Sequence, residues 1–162
     1  MIGKGSFGRV YKASKKDYEK QYAAKIISTD NFDGHDQMLI LREALVLHIL
    51  NHPSIIKLCG INFQSNSDRK VFAPTIITKF FPNGSLKEYL TGTSSHKKWN
   101  STKKYISLLG ITDAMRYLHE HGIIHRDLKP GNILIDENYY PIVCDFDLFR
   151  CFQKSFFTIT RN

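Results

Sequence analysis

One stretch constrains the fold of this chain more than any other, the run His-Arg-Asp-Leu-Lys-Pro-Gly-Asn-Ile-Leu-Ile-Asp at 125–136. A short apolar run at 141–144 follows, and Asp145-Phe146 comes directly after it. Short apolar runs bounded by turn residues predict strands, so the polar side chains at their ends come onto two neighbouring turns. These are Asp127, Lys129, Asn132 and Asp145. Carboxylate and amide oxygens suit a hard divalent cation and an ammonium group suits a phosphate, so the stretch predicts phosphate chemistry.

The rest of the chain predicts a set of strands interrupted by one helix, followed by two further helices and two short strands. Two strands around a glycine turn are expected within 1–14, and three more strands at 21–28, 55–63 and 71–79. Helices are expected at 36–50, from Ser85 to about Leu90, and from Thr102 to His121, with short strands at 133–135 and 141–144.

The glycine turn is the segment Gly3-Lys4-Gly5-Ser6-Phe7-Gly8-Arg9-Val10, which fits Gly-x-Gly-x-x-Gly-x-Val. Glycines let backbone amides approach phosphates without a Cβ in the way. In dinucleotide-binding folds the third glycine opens a helix, whereas here a β pattern continues after Gly8. A plain hairpin turn remains the alternative interpretation of this segment taken by itself.

Lys25 and Glu43 are isolated charges in apolar surroundings. Lys25 lies within Tyr22-Ala23-Ala24-Lys25-Ile26-Ile27, and Glu43 shares a helix face with Leu39 and Leu47. A buried charge needs a partner, so the two are predicted to pair with each other. Two separate surface charges are the alternative.

Together, the glycine-rich segment, Lys25, Glu43, the His-Arg-Asp segment at 125–127 and Asp145-Phe146 resemble the eukaryotic protein kinase family. The order and spacing match over essentially the whole chain. Lys129-Pro130-Gly131-Asn132 is similar to the serine/threonine type, and the segments 52–58 and 82–86 resemble its tyrosine-kinase-like branch.

The resemblance implies a fold and a division of the chain. The expected fold is α+β and protein-kinase-like, with a five-stranded antiparallel N-lobe and one helix, followed by the first part of a helical C-lobe. The N-lobe is expected at 1–78, the hinge at 79–84 and an incomplete C-lobe at 85–162.

The same resemblance implies an ATP-dependent protein serine/threonine kinase that uses ATP and Mg²⁺ and acts on a Ser or Thr hydroxyl of a protein. Asp127 would orient the hydroxyl and accept its proton, and Lys129 would steady the γ-phosphate. Lys25, held by Glu43, would meet the α- and β-phosphates. Asn132 and Asp145 would bind Mg²⁺. His125 would pack and hydrogen-bond rather than act as a base.

Further residues would bind the nucleotide by resemblance. The glycine-rich segment would contact phosphates, Thr78 would gate the adenine pocket, the backbones of Lys79 and Phe81 would bond adenine, and apolar side chains would sandwich the base. The full set, besides Lys25, is Ile2, Gly3, Gly5, Ser6, Phe7, Gly8, Val10, Ala23, Thr78, Lys79, Phe81 and Leu134.

The chain departs from the family pattern in three places. Asp147 stands where the family has the glycine of Asp-Phe-Gly, a residue that tolerates backbone angles closed to most others. Its carboxylate could recruit a cation or repel ATP. No Ala-Pro-Glu follows Asp145, and few residues precede Gly3, so the domain is expected to be truncated and impaired as an isolated chain.

Net charge, apolar runs and cysteine spacing bear on the partners and the location of the protein. The net charge of +8 is dispersed in pairs such as Lys103-Lys104 rather than in a block, so no nucleic-acid partner is expected. No apolar run reaches the length of a membrane span, and the three cysteines show no paired spacing, which favours a cytoplasmic protein. A non-catalytic ATP-binding pseudokinase or interaction fragment remains the competing hypothesis, and a generic nucleic-acid-binding protein is a more distant one.

Overall fold

The computed structural model describes residues 1–4, 8–14, 20–27, 34–62, 65–66, 71–72, 74–93 and 99–151. The chain divides into two compact units. Unit 1 comprises Met1–Asn51 and Ile56–Phe80, and unit 2 comprises His52–Ile55 and Phe81–Asn162. The chain therefore leaves unit 1 after Asn51, contributes a short segment to unit 2, and returns to unit 1 at Ile56.

Unit 1 is built on an antiparallel sheet. Its described elements are β1 (Gly3–Lys4), β2 (Gly8–Ser14), β3 (Gln21–Ile27), α1 (Gly34–Ile49), β4 (Leu58–Asn62), β5 (Ser65–Asn66), β6 (Val71–Phe72) and β7 (Thr75–Lys79). Five of these strands form one sheet in the order β1-β2-β3-β7-β4, and β5 pairs with β6 separately. The predicted α+β class with a five-stranded antiparallel sheet is confirmed.

Two strands of unit 1 are shorter than the sequence predicts. The expected strand at 71–79 is split by Pro74, which has no N–H to give to a sheet. The Pro74 carbonyl still accepts a hydrogen bond from the N–H of Ile27 at 3.0 Å. The expected strand at 55–63 begins only at Leu58, because Ile55 bridges to Val143 of unit 2 instead.

Unit 2 contains two helices followed by short strands. Its elements are α2 (Leu86–Thr91), α3 (Ser101–Glu120), β8 (Ile123–Ile124), a 3₁₀ helix (Pro130–Asn132), β9 (Ile133–Ile135), β10 (Pro141–Val143) and β11 (Arg150–Cys151). Ser85 caps α2 as predicted, in a reciprocal capping box with Glu88. Asn100 caps α3 by accepting a hydrogen bond from the Lys103 N–H at 3.0 Å.

Helix α3 packs against β10 at short range. A Cβ added to Gly110 would lie 2.6 Å from Cγ of Pro141, so only glycine fits without displacement. Ser107, Ala114 and Leu118 are the buried residues of this helix. On the strand side, β9 pairs with β10 along one edge, and the Ile55 bridge to Val143 adds a parallel contact. The packing fixes the strand that leads to Asp145.

Within the part of the chain that the structure describes, no helix has both the length and the apolar character needed to cross a membrane.

Candidate active site

The segment 125–132 joins β8 to β9 in unit 2 and gathers three of the predicted side chains. Oδ2 of Asp127 accepts hydrogen bonds from Nζ of Lys129 at 2.5 Å and from Nδ2 of Asn132 at 2.9 Å. The same Asn132 nitrogen donates to the main-chain oxygen of Asp127 at 2.9 Å. The 3₁₀ turn makes this possible, because the Asn132 N–H bonds to the carbonyl of Lys129 at 2.9 Å and folds the chain back.

The charges of this loop stabilise one another. The hydrogen bond from Lys129 is the largest influence that lowers the pKa of Asp127, and the bond from Asn132 acts in the same direction. The bond to Asp127 in turn raises the pKa of Lys129, and the Asp145 and Asp147 carboxylates add to that effect. Asp127 is therefore ionised and Lys129 protonated at neutral pH, which leaves a carboxylate able to accept a hydrogen bond from a hydroxyl.

His125 holds the loop in place through a ring contact and two hydrogen bonds. Its side chain is fully buried, and its ring centroid lies 4.8 Å from that of Phe146. Nδ1 accepts the N–H of Asp127 at 3.3 Å, so in the neutral ring the proton is on Nε2, which donates to the carbonyl of Cys144 at 2.9 Å. Burial lowers the pKa of His125. These contacts support packing and hydrogen bonding rather than proton transfer.

Asn132 and Asp145 form the candidate metal site. The main chain of Asn132 is fixed beside the residue before Asp145, because its carbonyl accepts the N–H of Cys144 at 2.9 Å. The side-chain nitrogen of Asn132 faces Asp127, so its amide oxygen is the atom that it would offer to a cation. Asp145 adds carboxylate oxygens. Such an all-oxygen donor set fits Mg²⁺.

The backbone strain expected near Asp147 lies two residues earlier. Asp145 has φ of 66°, in the left-handed region, whereas Asp147 is not among the described non-glycine residues with positive φ. The N–H of Phe149 bonds to the carbonyl of Phe146 at 3.4 Å, which makes Asp147 the second residue of a β-turn. Because Asp147 has no positive φ, aspartate takes the place of the expected glycine without a left-handed backbone.

In unit 1, Lys25 and Glu43 meet as the sequence predicts. Nζ of Lys25 lies 3.1 Å from Oε1 and 3.2 Å from Oε2 of Glu43. The two side chains are only 13% and 8% exposed. The ammonium group therefore has both carboxylate oxygens within reach in a setting where an isolated charge would be costly.

The sheet register places several predicted nucleotide contacts on the same face as Lys25. Val10 pairs with Lys25, and Ala23 pairs with Thr78. Directly opposite residues of an antiparallel pair share a face, as do residues two apart in one strand. Val10, Ala23 and Thr78 therefore lie on the face of the sheet that carries the Lys25 ammonium.

The two described glycines of the glycine-rich segment differ in how much room each leaves for a side chain. A Cβ on Gly8 would lie 2.3 Å from the main-chain oxygen of Ile26, so strand packing alone demands glycine there. At Gly3 the nearest atom to an added Cβ is Cβ of Val10, at an ordinary 3.8 Å. Gly5, Ser6 and Phe7, the middle of the predicted phosphate-contacting segment, lie outside the described residues.

Comparison with known proteins decides the family. The pattern of the protein kinase domain matches residues 1–161. The chain belongs to the protein kinase family. A probable L-type lectin-domain containing receptor kinase of Arabidopsis thaliana is 30% identical over 159 residues, which are 96% of this chain and 23% of that protein.

Other relatives carry serine/threonine kinase names. A probable serine/threonine-protein kinase of Dictyostelium discoideum is 36% identical over 157 residues, covering 96% of this chain and 16% of that protein. Serine/threonine-protein kinase SIK1 of Rattus norvegicus is 35% identical over 145 residues, covering 90% of this chain and 18% of that protein. The kinase chain thus spans about a fifth of the length of these relatives.

The remaining predicted nucleotide contacts of the kinase are placed as follows. Ile2 is half-exposed, and its N–H bonds to the carbonyl of Val10 at 2.8 Å. Lys79 ends β7 opposite Tyr22. The carbonyl of Phe81 accepts the N–H of Gly84 at 3.3 Å. Leu134 lies in β9 and bridges to Ser85. Their contacts with a nucleotide stay a prediction.

One supporting residue of the kinase was missed from the sequence. Nδ2 of Asn83 donates to the carbonyl of Asp136 at 2.6 Å, and the N–H of Ile135 bonds to the carbonyl of Gly84 at 2.9 Å. Asn83 thereby ties the turn before α2 to the strand that carries Leu134. The Asn-Gly pair predicts a turn, but no local pattern indicates its distant partner.

Proposed function

We propose that this kinase domain binds Mg-ATP and transfers its γ-phosphoryl group to a serine or threonine hydroxyl of a protein. The observation that carries the proposal is the Asp127 carboxylate, held by Lys129 at 2.5 Å and by Asn132 at 2.9 Å. The serine/threonine kinase names of several relatives support it at the level of the family. We also propose the tyrosine-kinase-like branch, which rests on the segments 52–58 and 82–86.

Each polar residue of the candidate active site would have a separate role in phosphoryl transfer. The substrate hydroxyl oxygen bonds to the γ-phosphorus as the bond to the leaving oxygen of ADP breaks, and Asp127 takes the hydroxyl proton. Lys129 would hold the γ-phosphoryl group as charge moves onto the leaving oxygen. Asn132 and Asp145 would hold Mg²⁺, which neutralises phosphate charge when bound.

Unit 1 would contribute to nucleotide binding. Lys25 is proposed to contact the α- and β-phosphates, with Glu43 fixing its ammonium group. Val10 and Ala23 lie on the same sheet face as Lys25 and are proposed to contact the base. Ile2 and Leu134 are proposed to complete the apolar contacts with the base, and the backbones of Lys79 and Phe81 to hydrogen-bond adenine. Thr78 is proposed to gate the adenine pocket, and the glycine-rich segment to contact the phosphates.

The proposed lobes follow from these roles. We propose an N-lobe at 1–78, a connecting segment at 79–84 and C-lobe residues at 85–162. The change from unit 1 to unit 2 after Phe80 supports this division. A cytoplasmic location and a protein substrate belong to the same proposal.

The decisive experiment measures transfer of labelled phosphate from ATP to a Ser- and Thr-rich protein, with and without Mg²⁺. Asp127→Asn is expected to lower the rate by about 10²- to 10⁴-fold, the range for a positioned general base. Glu120→Gln, which changes an exposed carboxylate on α3, serves as the matched control. Transfer that is independent of Mg²⁺, or untouched by Asp127→Asn, would contradict the proposal, and phosphoamino-acid analysis separates Ser and Thr from Tyr.

A non-catalytic nucleotide-binding function is favoured by one observation, the carboxylate of Asp147 two residues from Asp145. Like charges near a cation site change its affinity and can hold the nucleotide in an unproductive way. Asp147→Gly is expected to raise phosphate transfer if this carboxylate is inhibitory. Saturable Mg-ATP binding with no transfer in either protein would favour the pseudokinase hypothesis.

A further inference from the structure

The strand that leads into Asp145 is held by a segment from elsewhere in the chain. Residues His52–Ile55 belong to unit 2, although the residues on either side belong to unit 1. The N–H of Val143 donates to the carbonyl of Ser54 at 2.8 Å, and Ile55 forms a parallel bridge with Val143. Because β9 pairs with β10 as well, Val143 is held by both neighbours.

His52 fixes this segment to helix α3. Its Nδ1 accepts the N–H of Ser54 at 3.1 Å, so in the neutral ring the proton is on Nε2. Nε2 lies 3.0 Å from Oδ2 of Asp113 and donates to it. The His52 side chain is only 8% exposed and packs on the ring of Tyr117 at a centroid distance of 5.0 Å. One imidazole thus joins the helix and the segment.

Asp113 is itself held in place on α3. Its Oδ1 accepts from Arg116 at 2.8 Å, and Arg116 also bonds to Glu120 at 2.6 Å. The hydrogen bonds from Arg116 and then from His52 lower the pKa of Asp113, so it is an ionised acceptor at neutral pH. Asp113 therefore presents one oxygen to each partner.

We propose that His52, fixed by Asp113, is a positioning residue for Asp145. The contacts run from Asp113 to His52, from His52 to Ser54, and from Ser54 to Val143, which is two residues before Asp145. This inference rests on the proposed function, since the purpose of placing Asp145 is to bind Mg²⁺ with the nucleotide. Neither His52 nor Asp113 touches the reacting groups in this scheme.

The geometry explains why small movements would matter. The N–H of Cys144 donates to the carbonyl of Asn132. The next residue, Asp145, has a left-handed backbone, a small allowed region that leaves little room for its φ and ψ angles to change. A shift of Ser54 therefore moves Val143 and rotates the carboxylate of Asp145 relative to the amide of Asn132. Residues that orient metal ligands affect metal affinity, so a displaced Asp145 would weaken the part of ATP binding that depends on Mg²⁺.

The test uses the 162-residue chain and variants of the exposed end of this connection. Asp113→Ala removes the acceptor for His52, and Glu120→Ala removes the other partner of Arg116 as a matched control. His52→Asn keeps an acceptor for the Ser54 N–H, as asparagine does in turns, but is too short to reach Asp113. ATP affinity is measured by calorimetry with MgCl₂ and with EDTA, and exchange of the Val143 amide hydrogen is measured without nucleotide.

Asp113→Ala and His52→Asn are each expected to weaken ATP binding in MgCl₂ by about tenfold, the lower end of the range for residues that orient metal ligands, and to leave binding in EDTA unchanged. The double variant is expected to match either single variant, because both remove the same bond. Val143 exchange is expected to speed up in both variants but not in Glu120→Ala.

The outcomes separate this inference from the proposed function. Faster Val143 exchange in a chain that binds no ATP would overturn the proposed function while supporting the connection through His52. Normal Mg-dependent ATP binding in Asp113→Ala and His52→Asn, with Val143 exchange unchanged, would overturn the inference alone. Equal loss of binding in MgCl₂ and EDTA would also overturn it, since a general loss of structure would act on both.

Discussion

The candidate charges of unit 1 lie on regular secondary structure, whereas those of unit 2 lie on turns. Lys25 and Glu43 project from a strand and a helix and are largely buried together. Asp127 and Lys129 lie in an irregular loop, and the Lys129 side chain is 55% exposed. The backbone at Arg126 and Asp145 is left-handed, with φ of 68° and 66°.

The buried pair of Lys25 and Glu43 therefore matters mainly for stability, whereas the more exposed pair of Asp127 and Lys129 matters mainly for chemistry. A buried ion pair that loses one partner leaves a charge in apolar surroundings, and the fold bears the cost. An exposed pair on a loop is solvated when it is broken, so its loss shows mainly in the chemistry.

The largest effect on stability is expected from Glu43→Ala, which removes the carboxylate around the Lys25 ammonium. The free energy of unfolding should fall by about 3 kcal/mol, measured by urea denaturation. Lys129→Ala, the counterpart in unit 2, should leave the urea midpoint nearly unchanged. The double variant Lys25→Met with Glu43→Leu should recover most of the loss. Similar midpoints for Glu43→Ala and Lys129→Ala would break the contrast.

A smaller effect is expected at the glycines. Gly8→Ala should lower the free energy of unfolding by about 1–3 kcal/mol, because the new methyl group overlaps the Ile26 carbonyl. Gly3→Ala should change it by less than about 0.5 kcal/mol, since its Cβ meets Val10 at ordinary contact distance. If Gly3 approaches a phosphate, Gly3→Ala will still weaken ATP binding in calorimetry. Wild-type affinity in that variant would remove Gly3 from the nucleotide site.

The smallest expected effect is on the pH dependence of the free energy of unfolding, through His125. Burial lowers the pKa of His125 below its ordinary value of 6.5, so the unfolded chain binds this proton at a higher pH than the folded chain does. Stability should therefore fall as the pH drops below about 6.5 and level off below the folded pKa, with a slope of at most about 1.4 kcal/mol per pH unit from this group. His125→Phe should flatten that part of the curve measured by urea denaturation between pH 7 and 5. If the slope of unfolding free energy against pH is the same in His125→Phe, titratable groups other than His125 cause it.

The same contrast explains what the sequence could predict. The pairing of Lys25 with Glu43 was predictable because each breaks an apolar pattern of known period, and strand register then sets the geometry. Ser85 and the long helix carried local capping and periodic signals. The fold class was predictable because these motifs together resemble the protein kinase family.

The turns of unit 2 were less predictable because distant hydrogen bonds decide them. No local signal indicates that Arg150 and Cys151 pair with β8, or that Ser54 accepts from Val143. The residue type at 147 pointed to backbone strain, yet the turn from Phe146 to Phe149 removes it and the left-handed residue is Asp145. Residue preferences describe a position, whereas tertiary contacts choose among the conformations it allows.

The excursion of His52–Ile55 into unit 2 has a consequence for cutting the chain into pieces. A fragment that starts at Phe81 would contain both helices and the loop 125–132 but would lack the carbonyl of Ser54 that holds Val143. Such a fragment would expose an unsatisfied strand edge, the kind of surface that recruits other chains. The shortest continuous piece that holds all of unit 2 begins at His52 and necessarily includes β4 and β7, two strands of the five-stranded sheet, together with the separate β5–β6 pair. Unit 2 therefore cannot be expressed as one continuous chain without part of unit 1.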